Sequence, residues 1–279
     1  MIITLKNADF SINNIGKIDI NEKLNENTKE ILSKYSRQFT DTQKLALQHF
    51  VNGLKSNGIW EHMCNLYIPA LAGDMSEMLY NIKTGVVDSI PDSEYYQSES
   101  YGLRTKEFDT NTVVPTEKCA KVKMNGSYMN LHYAVYLASP LVYEEGKENV
   151  NYFITTDDGK AYKGFRSYYT TGNSRFNLIV TGNPDKYAIS DEHCSGFVCA
   201  TCASDGLNRG IINNVTGNVS QTETTDTTMT DSTTWIGCSV QRWAKCTTPM
   251  RLISMGSALT DEELILYNTL CDTFISSIC

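Results

Sequence analysis

The sequence predicts a mainly β protein, an antiparallel β-sandwich with helices on its N-terminal side and a capped helix at its C-terminal end. Three observations predict this. Between about Met75 and Met255, short runs rich in Tyr, Val, Ile and Phe alternate with Gly, Asn, Asp and Thr, a texture typical of strands joined by tight turns. The runs are too closely spaced for crossover helices, which favours antiparallel pairing. Helical periodicity is confined to the two ends of the chain.

The first 39 residues are polar and weakly patterned. They predict a partly extended arm that ends in a short helix near Lys29–Ser36. Such an arm is expected to be ordered by a partner rather than by its own core. This arm (1–39) is the first of three predicted units, followed by a helical preface (40–70) and the sandwich with its C-terminal helix (71–279).

The preface begins with a helix at Thr40, because Thr40 and Gln43 form a capping box that satisfies amides of the first turn. Its apolar face follows helical spacing at Leu47, Phe50, Val51 and Leu54. Asn57-Gly58 supplies the stop. A second short helical turn is predicted over 59–67, bounded by Pro69.

Strands are expected at 131–137, 151–156, 161–169, 175–180, 196–203, 209–212, 235–239 and 251–255. The alternation over 131–137 indicates a strand buried on one face. Asp157-Asp158-Gly159-Lys160 fits a hairpin turn between two of these strands. The Thr-, Asp-, Asn- and Ser-rich segment Asn213–Thr234 is predicted to lie at the surface as a long loop or extended ribbon.

The C-terminal helix has clear signals at both the start and the buried face. Thr260 and Glu263 form a capping box, and Leu259 and Leu264 occupy the positions of a hydrophobic staple. The predicted buried stripe consists of Leu264, Tyr267, Cys271, Phe274, Ile275 and Ile278.

Charge and hydropathy exclude several classes of function. The net charge of −8, with no concentrated Lys and Arg, argues against a protein that binds nucleic acid by neutralising phosphates. No apolar stretch is long enough to span a bilayer, so no membrane insertion is expected. The N-terminal ten residues lack a signal-peptide pattern, so synthesis in a cytoplasm without export is expected. In that reducing setting the nine cysteines are expected to be free and mostly buried.

Several motifs together resemble a known family. These are Phe39–Gln43, Val51–Trp60 and Tyr67–Pro69, then Gly196–Ile212, Trp235–Gly237 and Leu252–Glu263, with Leu5–Ser11 at the N-terminus. Their order and spacing are similar to bacteriophage virion proteins of the head- or tail-fibre type, as in phages of gut Bacteroides-type bacteria. The segment Val86–Tyr128 departs from the pattern.

The resemblance implies a concanavalin A-like or LamG-like lectin sandwich on a virion head fibre, tail fibre or other appendage. It implies an N-terminal arm that contacts capsid or tail proteins, with Leu5, Asp9 and Phe10 as candidate anchoring residues. Fibres assemble by symmetry, so a homo-oligomer, with a trimer favoured, is expected. A non-enzymatic structural role is the leading hypothesis. A tail receptor-binding protein that contacts host surface glycans is the alternative.

For glycan contact, aromatic faces and hydroxyl or amide side chains are the relevant chemistry. The candidate ligand-binding residues are Tyr168, Tyr169, Asn214, Thr225 and Asp226. Calcium is the one cofactor the sequence leaves open, with oxygens at Asp157-Asp158-Gly159 and at Asp226 with Asp231; a solvated turn explains these residues equally well.

Other chemistries find less support. Cys199-Ala-Thr-Cys202 beside Cys194 lacks a second ligand pair at zinc spacing, so buried strand cysteines are expected instead. No run of alternating acids suits retaining glycoside hydrolysis, which needs two carboxylates about 5–5.5 Å apart. None of the four His residues lies in a nucleophile-elbow motif, so no catalytic triad is predicted.

Overall fold

The computed structural model describes residues 23–88, 96–106, 118–127, 129–141, 149–157, 162–170, 173–179, 187–189, 194–204, 207–212, 214–220, 228–238, 246 and 248–279. The helices are α1 (Glu26–Leu32), α2 (Asp41–Ser56), α3 (Ile59–His62) and α4 (Asp261–Ile278), with 3-10 turns at Pro69–Leu71 and Met75–Glu77. The strands are β1 (Met63–Tyr67), β2 (Tyr80–Asn81), β3 (Val86–Val87), β4 (Tyr96–Glu99), β5 (Gly102–Thr105), β6 (Lys121–Ser127), β7 (Leu131–Leu137), β8 (Asn149–Asp157), β9 (Tyr162–Thr170), β10 (Asn173–Ile179), β11 (Tyr187–Ile189), β12 (Gly196–Cys202), β13 (Leu207–Ile212), β14 (Val215–Ser220), β15 (Thr228–Ile236) and β16 (Met250–Gly256).

The strands form two antiparallel sheets. The larger has the order β14-β13-β12-β7-β16-β1-β2-β3, and the β4–β5 hairpin joins it where Leu103 pairs with Met250. The smaller has the order β11-β10-β9-β8-β15-β6. Side chains bridge the two sheets: the Tyr133 hydroxyl donates to Thr156 Oγ1 at 2.8 Å, and Asn65 Nδ2 donates to the Lys123 carbonyl at 2.9 Å. The predicted concanavalin-like antiparallel sandwich with helices at both ends is confirmed.

The helices cover the outer face of the larger sheet. The rings of Phe50 on α2 and Phe274 on α4 stack with centroids 4.5 Å apart, and Phe197 of β12 meets Tyr267 of α4 edge-on at 4.7 Å. Gly53 permits the close approach of the two helices, because a Cβ there would lie 2.6 Å from Leu270 Cδ2. The molecule therefore has three layers: helices, larger sheet and smaller sheet.

Both capping boxes are confirmed. Thr40 and Gln43 start α2, and Thr260 and Glu263 start α4, each with reciprocal side-chain to backbone bonds. The predicted apolar positions of both helices are buried. The short N-terminal helix lies at Glu26–Leu32, several residues earlier than predicted, because Asn25 caps it by accepting from the Thr28 amide at 2.8 Å.

Three predictions about local structure are wrong. Residues Met63–Tyr67 do not continue a helical turn but form β1, which pairs with β16. Strand β7 is buried on both faces rather than one, because the helices cover the face opposite the smaller sheet. The Asn213–Thr234 segment is predicted as a surface loop or extended ribbon; it does contain the extended β14 and most of β15, but its surface placement is wrong at Met229, Ser232 and Thr234, which are buried.

Two further properties of the described chain bear on function. None of its helices combines the length and apolar content that a bilayer span requires. All nine cysteines are free thiols, of which seven are buried, Cys64 is half-buried and Cys279 is exposed.

Candidate functional site: a polar recess beside the C-terminal helix

A recess of about 270 Å³ opens between α4, the start of β12 and the turn that joins β13 to β14. This polar recess is lined by Ser195, Gly196, Phe197, Asn214, Asn268 and Asp272. Its volume lies just below the range of about 300–1,000 Å³ typical of small-molecule sites. Apart from the ring of Phe197 at its base and the glycine, every lining side chain can form hydrogen bonds.

The turn between β13 and β14 places Asn214 in the recess. Asn214 has φ +64°, a left-handed conformation that asparagine adopts more readily than most residues. Its side-chain oxygen accepts a hydrogen bond from Nδ2 of Asn268 on α4, and Asn268 is almost fully buried. The bond fixes the orientation of both amides. Asn214 is thus the one sequence-predicted ligand residue that the described structure brings into a cavity.

Helix α4 contributes Asn268 and Asp272, which share a face because they are four residues apart. The phenol of Tyr136 on β7 donates a hydrogen bond to the Asp272 carboxylate. Burial, followed by the charge of Asp272, raises the pKa of Tyr136 to about 12, so the phenol keeps its proton near neutral pH. Burial also raises the pKa of Asp272, and the bond from Tyr136 opposes that shift.

Gly196 keeps the floor of the recess open. Its φ of +69° favours glycine, and a Cβ there would lie 3.8 Å from the Tyr136 hydroxyl and 3.9 Å from Asp272 Oδ1. A larger residue would therefore be strained and would also occupy the space in front of these two polar groups.

Sequence reasoning missed Asn268, Asp272 and Tyr136. A signal was present, because Asn268 and Asp272 directly follow Tyr267 and Cys271 of the predicted buried stripe and so flank it on one side. A buried amide beside an apolar stripe needs a partner, and that requirement points to a polar contact across the helix–sheet junction.

A second recess, of about 400 Å³, lies where the edge strands β3 and β6 of the two sheets come together. Asp88 in this recess accepts a hydrogen bond from the Tyr67 hydroxyl at 2.7 Å, and Lys123 Nζ donates to the Asp231 carbonyl at 2.8 Å. Val87, which lines this recess, and its neighbour Val86 are both more than half exposed. Its named polar groups are already engaged within the protein, which makes it a weaker candidate than the polar recess.

The other predicted ligand and anchoring residues are not tested. Tyr168 and Tyr169 belong to β9 in the smaller sheet, whereas Asn214 lies in the turn between β13 and β14 of the larger sheet. Thr225 and Asp226 lie outside the described residues, as do Leu5, Asp9 and Phe10. Of the predicted hairpin turn and calcium candidates, Asp158, Gly159, Lys160 and Asp226 also fall outside. Asp157 is the last residue of β8, and the carbonyl of Asp231 accepts from Lys123 Nζ.

Within the described residues, no three His, Cys, Asp or Glu side chains come together as metal ligands. Cys199 and Cys202 lie in β12 and both are buried, as expected for strand cysteines. Burial raises the pKa of the Cys199 thiol well above its usual range. Neutral thiols of this kind pack as small apolar groups.

One unpredicted constellation is formed by His62, Ser257 and Glu263. His62 Nδ1 lies 2.9 Å from Ser257 Oγ, and His62 Nε2 lies 3.1 Å from Glu263 Oε1. The order serine, histidine, carboxylate is that of a catalytic triad. However, the amides of Ser257, Ala258 and Leu259 already donate to His62 O, Asn130 Oδ1 and Thr201 Oγ1. These amides therefore do not form an oxyanion hole, and the contacts fasten α3 to the turn between β16 and α4.

No protein-family model and no curated protein matches the chain. Among solved structures, the chain is similar to the botulinum neurotoxin serotype D binding domain, with 10% identity and a TM-score of 0.46 over 76% of this chain and 52% of that one. It is also similar to Trypanosoma rangeli sialidase in complex with sialic acid, with 9% identity and a TM-score of 0.45 over 82% of this chain and 39% of that one.

A third similar structure is the enzymatically active domain of bacteriophage CBA120 tailspike protein 2, with 13% identity and a TM-score of 0.39 over 61% of this chain and 27% of that one. The chain spans about half or less of the length of these three structures. Identities this low give no guide to function.

Proposed function

We propose that the chain is a glycan-binding protein of a bacteriophage particle and that its sandwich holds a sugar in the polar recess. The observation that carries the proposal is the set of converging polar groups around one small cavity, namely Asn214, Asn268, Asp272 and Ser195. A lectin-like sandwich with such a recess is suited to a ligand rich in hydroxyl groups.

The chemistry of the lining supports a sugar. Each sugar hydroxyl both donates and accepts, and an asparagine amide offers a donor and an acceptor side by side. The Asp272 carboxylate accepts strongly, and its bond from Tyr136 fixes its orientation before a ligand arrives. The Asn214–Asn268 bond does the same for the amides. Groups that are already oriented lose less conformational entropy on binding.

The proposal is for binding without turnover in this recess. Asp272 is the single carboxylate among its described lining residues. Hydrolysis with retention requires a second carboxylate about 5–5.5 Å away. One carboxylate together with neutral amides suits recognition.

The virion setting is part of the proposal and rests on the motif resemblance. Two of the segments that carry it come together in space, since Tyr67 of β1 pairs with Ile253 of β16. In the proposal, the N-terminal arm, with Leu5, Asp9 and Phe10, binds capsid or tail proteins. The sandwich then projects from the virion as part of a homo-oligomer, with a trimer favoured.

Binding is tested on a glycan array with the purified full chain. The wild type should bind a defined subset of glycans in a dose-dependent way, and Asp272→Asn should weaken that binding about tenfold, the loss expected for one charge-assisted hydrogen bond. Glu262→Gln, an exposed substitution on the same helix, is the matched control and should bind as the wild type does. A wild-type protein that binds no glycan would contradict the proposal.

A structural fibre or decoration protein without a ligand is the second candidate, favoured by the polar N-terminal arm. Deletion of residues 1–22 spares Asn25, which caps α1. The shortened chain should fold but fail to enter particles when it is supplied to a phage that lacks the full-length copy. Normal incorporation would overturn the anchoring role, independently of the glycan result.

A further inference from the structure

The tip of the β4–β5 hairpin adopts a strained backbone. Ser100 and Tyr101 have φ values of +49° and +56°, so two consecutive residues with side chains occupy the left-handed region. A two-residue hairpin turn of this kind is ordinarily made by Asn-Gly, because a side chain disfavours the conformation. Strain of this kind is concentrated at functional sites, where a particular side chain is needed at that position.

The side chain held at this tip is a supported aromatic ring. Tyr101 is 52% exposed, whereas the other aromatic side chains whose burial the structure describes are buried or half-buried. One face of its ring lies over the Arg37 guanidinium, with Cζ 4.4 Å from the ring centroid. Arg37 is itself fixed, because it donates to the Ala70 carbonyl at 2.6 Å and to the Ile278 carbonyl at 3.0 Å. The ring is therefore braced on one side and open to solvent on the other.

Arg251 connects this tip to the polar recess. Its Nε donates to the Ser100 carbonyl at 3.1 Å. Arg251 lies on β16 next to Leu252, which pairs with Tyr136, and its charge acts on the Tyr136 phenol. Tyr136 in turn donates to Asp272 in the recess. A line of neighbouring groups thus runs from Ser100 at the tip through Arg251 and Tyr136 to the recess.

We propose that Tyr101 and Arg251 form a second subsite for the same glycan chain and that this subsite takes a sugar bearing a carboxylate. The proposal rests on the proposed function and names its ligand class, an acidic oligosaccharide longer than one residue. The open face of the Tyr101 ring stacks on the apolar face of a sugar ring. The Arg251 guanidinium has donors beyond Nε that match a carboxylate in a planar, paired geometry. Arg37 and Arg251 place positive charge near the hairpin tip of a chain whose net charge is −8.

The experiment compares one acidic glycan, identified on the array, with the same glycan after methyl esterification of its carboxylate. The wild type should bind the free acid at least about tenfold more tightly than the ester, as expected for a charge-assisted pair. Arg251→Gln should lower the affinity for the acid to that for the ester. Tyr101→Ala should weaken both about tenfold. Tyr101→Phe keeps the ring and should bind as the wild type does.

A relaxed hairpin supplies the second measurement. The double substitution Ser100→Asn with Tyr101→Gly introduces the residues that the turn conformation favours, so the thermal unfolding midpoint should rise while binding of the acidic glycan falls as in Tyr101→Ala.

The outcomes are distinguishable. A wild type that binds glycans, with Asp272→Asn defective but Tyr101 and Arg251 variants unchanged, would overturn this subsite and leave the recess in place. A wild type that bound no glycan would contradict both the subsite and the proposed binding in the polar recess. A relaxed hairpin that keeps full affinity would also overturn the subsite.

Discussion

The layer between the helices and the larger sheet is held together differently from the layer between the two sheets. On the helix side, rings pack directly on one another: Phe50 of α2 stacks on Phe274 of α4, and Phe197 of the larger sheet meets Tyr267 of α4 edge-on. The inter-sheet layer is crossed by hydroxyl bonds, in which Tyr133 donates to Thr156, and Thr156 and Thr234 oxygens lie 2.8 Å apart. Large apolar side chains at regular spacing predict a buried face from the sequence. Some strand threonines are buried here too, but in the sequence threonine-rich strands look like exposed segments.

The difference explains which predictions succeeded. The 3.6-residue period of large apolar side chains marked the buried faces of α2 and α4 correctly. Thr234 was placed at the surface because a Thr-rich run offers little apolar area. In the structure its hydroxyl is satisfied by Thr156 from the neighbouring strand, which removes the cost of burial.

The largest expected effect lies in the helix-side layer. Phe274→Ala should lower the free energy of unfolding by about 3–5 kcal/mol, because it removes a fully buried ring and leaves a cavity against Phe50. Ile265→Ala on the same helix is the control, since Ile265 is 51% exposed, and should change stability by about 0.5 kcal/mol or less. Urea unfolding measures both. Equal losses would show that burial of the Phe274 ring against Phe50 of α2 is not what holds α4.

The next effect depends on pH and comes from His132, a fully buried histidine on the helix side of the larger sheet. Burial lowers the pKa of His132 to about 4, opposed by its bond to the Ser257 carbonyl; the nearby His62 lowers the pKa further and Glu263 raises it. Above pH 6.5 the residue is neutral in both the folded and unfolded states. As the pH falls from 6.5 to 4, the unfolded state binds a proton and the folded state does not, so stability falls by up to about 3 kcal/mol.

Denaturant unfolding of the wild type and of His132→Gln between pH 7 and pH 4 checks this expectation. The wild type should lose stability more steeply than the variant over this range, whatever the stability of the variant at pH 7. Parallel curves would contradict a buried, neutral histidine.

The smallest of the three effects probes the inter-sheet layer. Thr156→Val keeps the shape but removes the hydroxyl that both Tyr133 and Thr234 use, and should cost about 1–3 kcal/mol because two buried polar groups lose a partner. Thr156→Ser keeps the hydroxyl and should cost less. If the two variants were equally stable, as judged by their thermal unfolding midpoints, the hydroxyl bonds would not be what stabilises this layer.

The fold was predictable from sequence where local signals agree with the tertiary structure, and less so where they do not. Capping boxes and turn residues act over four or five positions and appear directly in the sequence, as at Thr40 and Thr260. Strand β1 was taken for a helical turn because its partner β16 lies almost 190 residues away along the chain. Such pairing has no local signature.

The candidate site also depends on contacts between residues that are far apart in the sequence. Asn214 could be singled out by residue type, but its partner Asn268 lies on a helix 54 residues further along. Tyr136 comes to Asp272 from a third element. The recess forms only when the sheet and the helix pack together. Single residues of it can therefore be predicted from their type, but the sequence does not show that they lie next to one another.

The free thiols allow the unfolding of the three layers to be followed by chemical labelling. Cys199 and Cys271 are buried on the helix side, Cys119 and Cys238 lie in buried positions elsewhere in the core, and Cys279 is exposed. A brief pulse of a thiol-alkylating reagent at rising denaturant should mark Cys279 first. The order in which the remaining cysteines gain mass then shows whether the helices detach from the sheet before the sheets separate or all three layers open together.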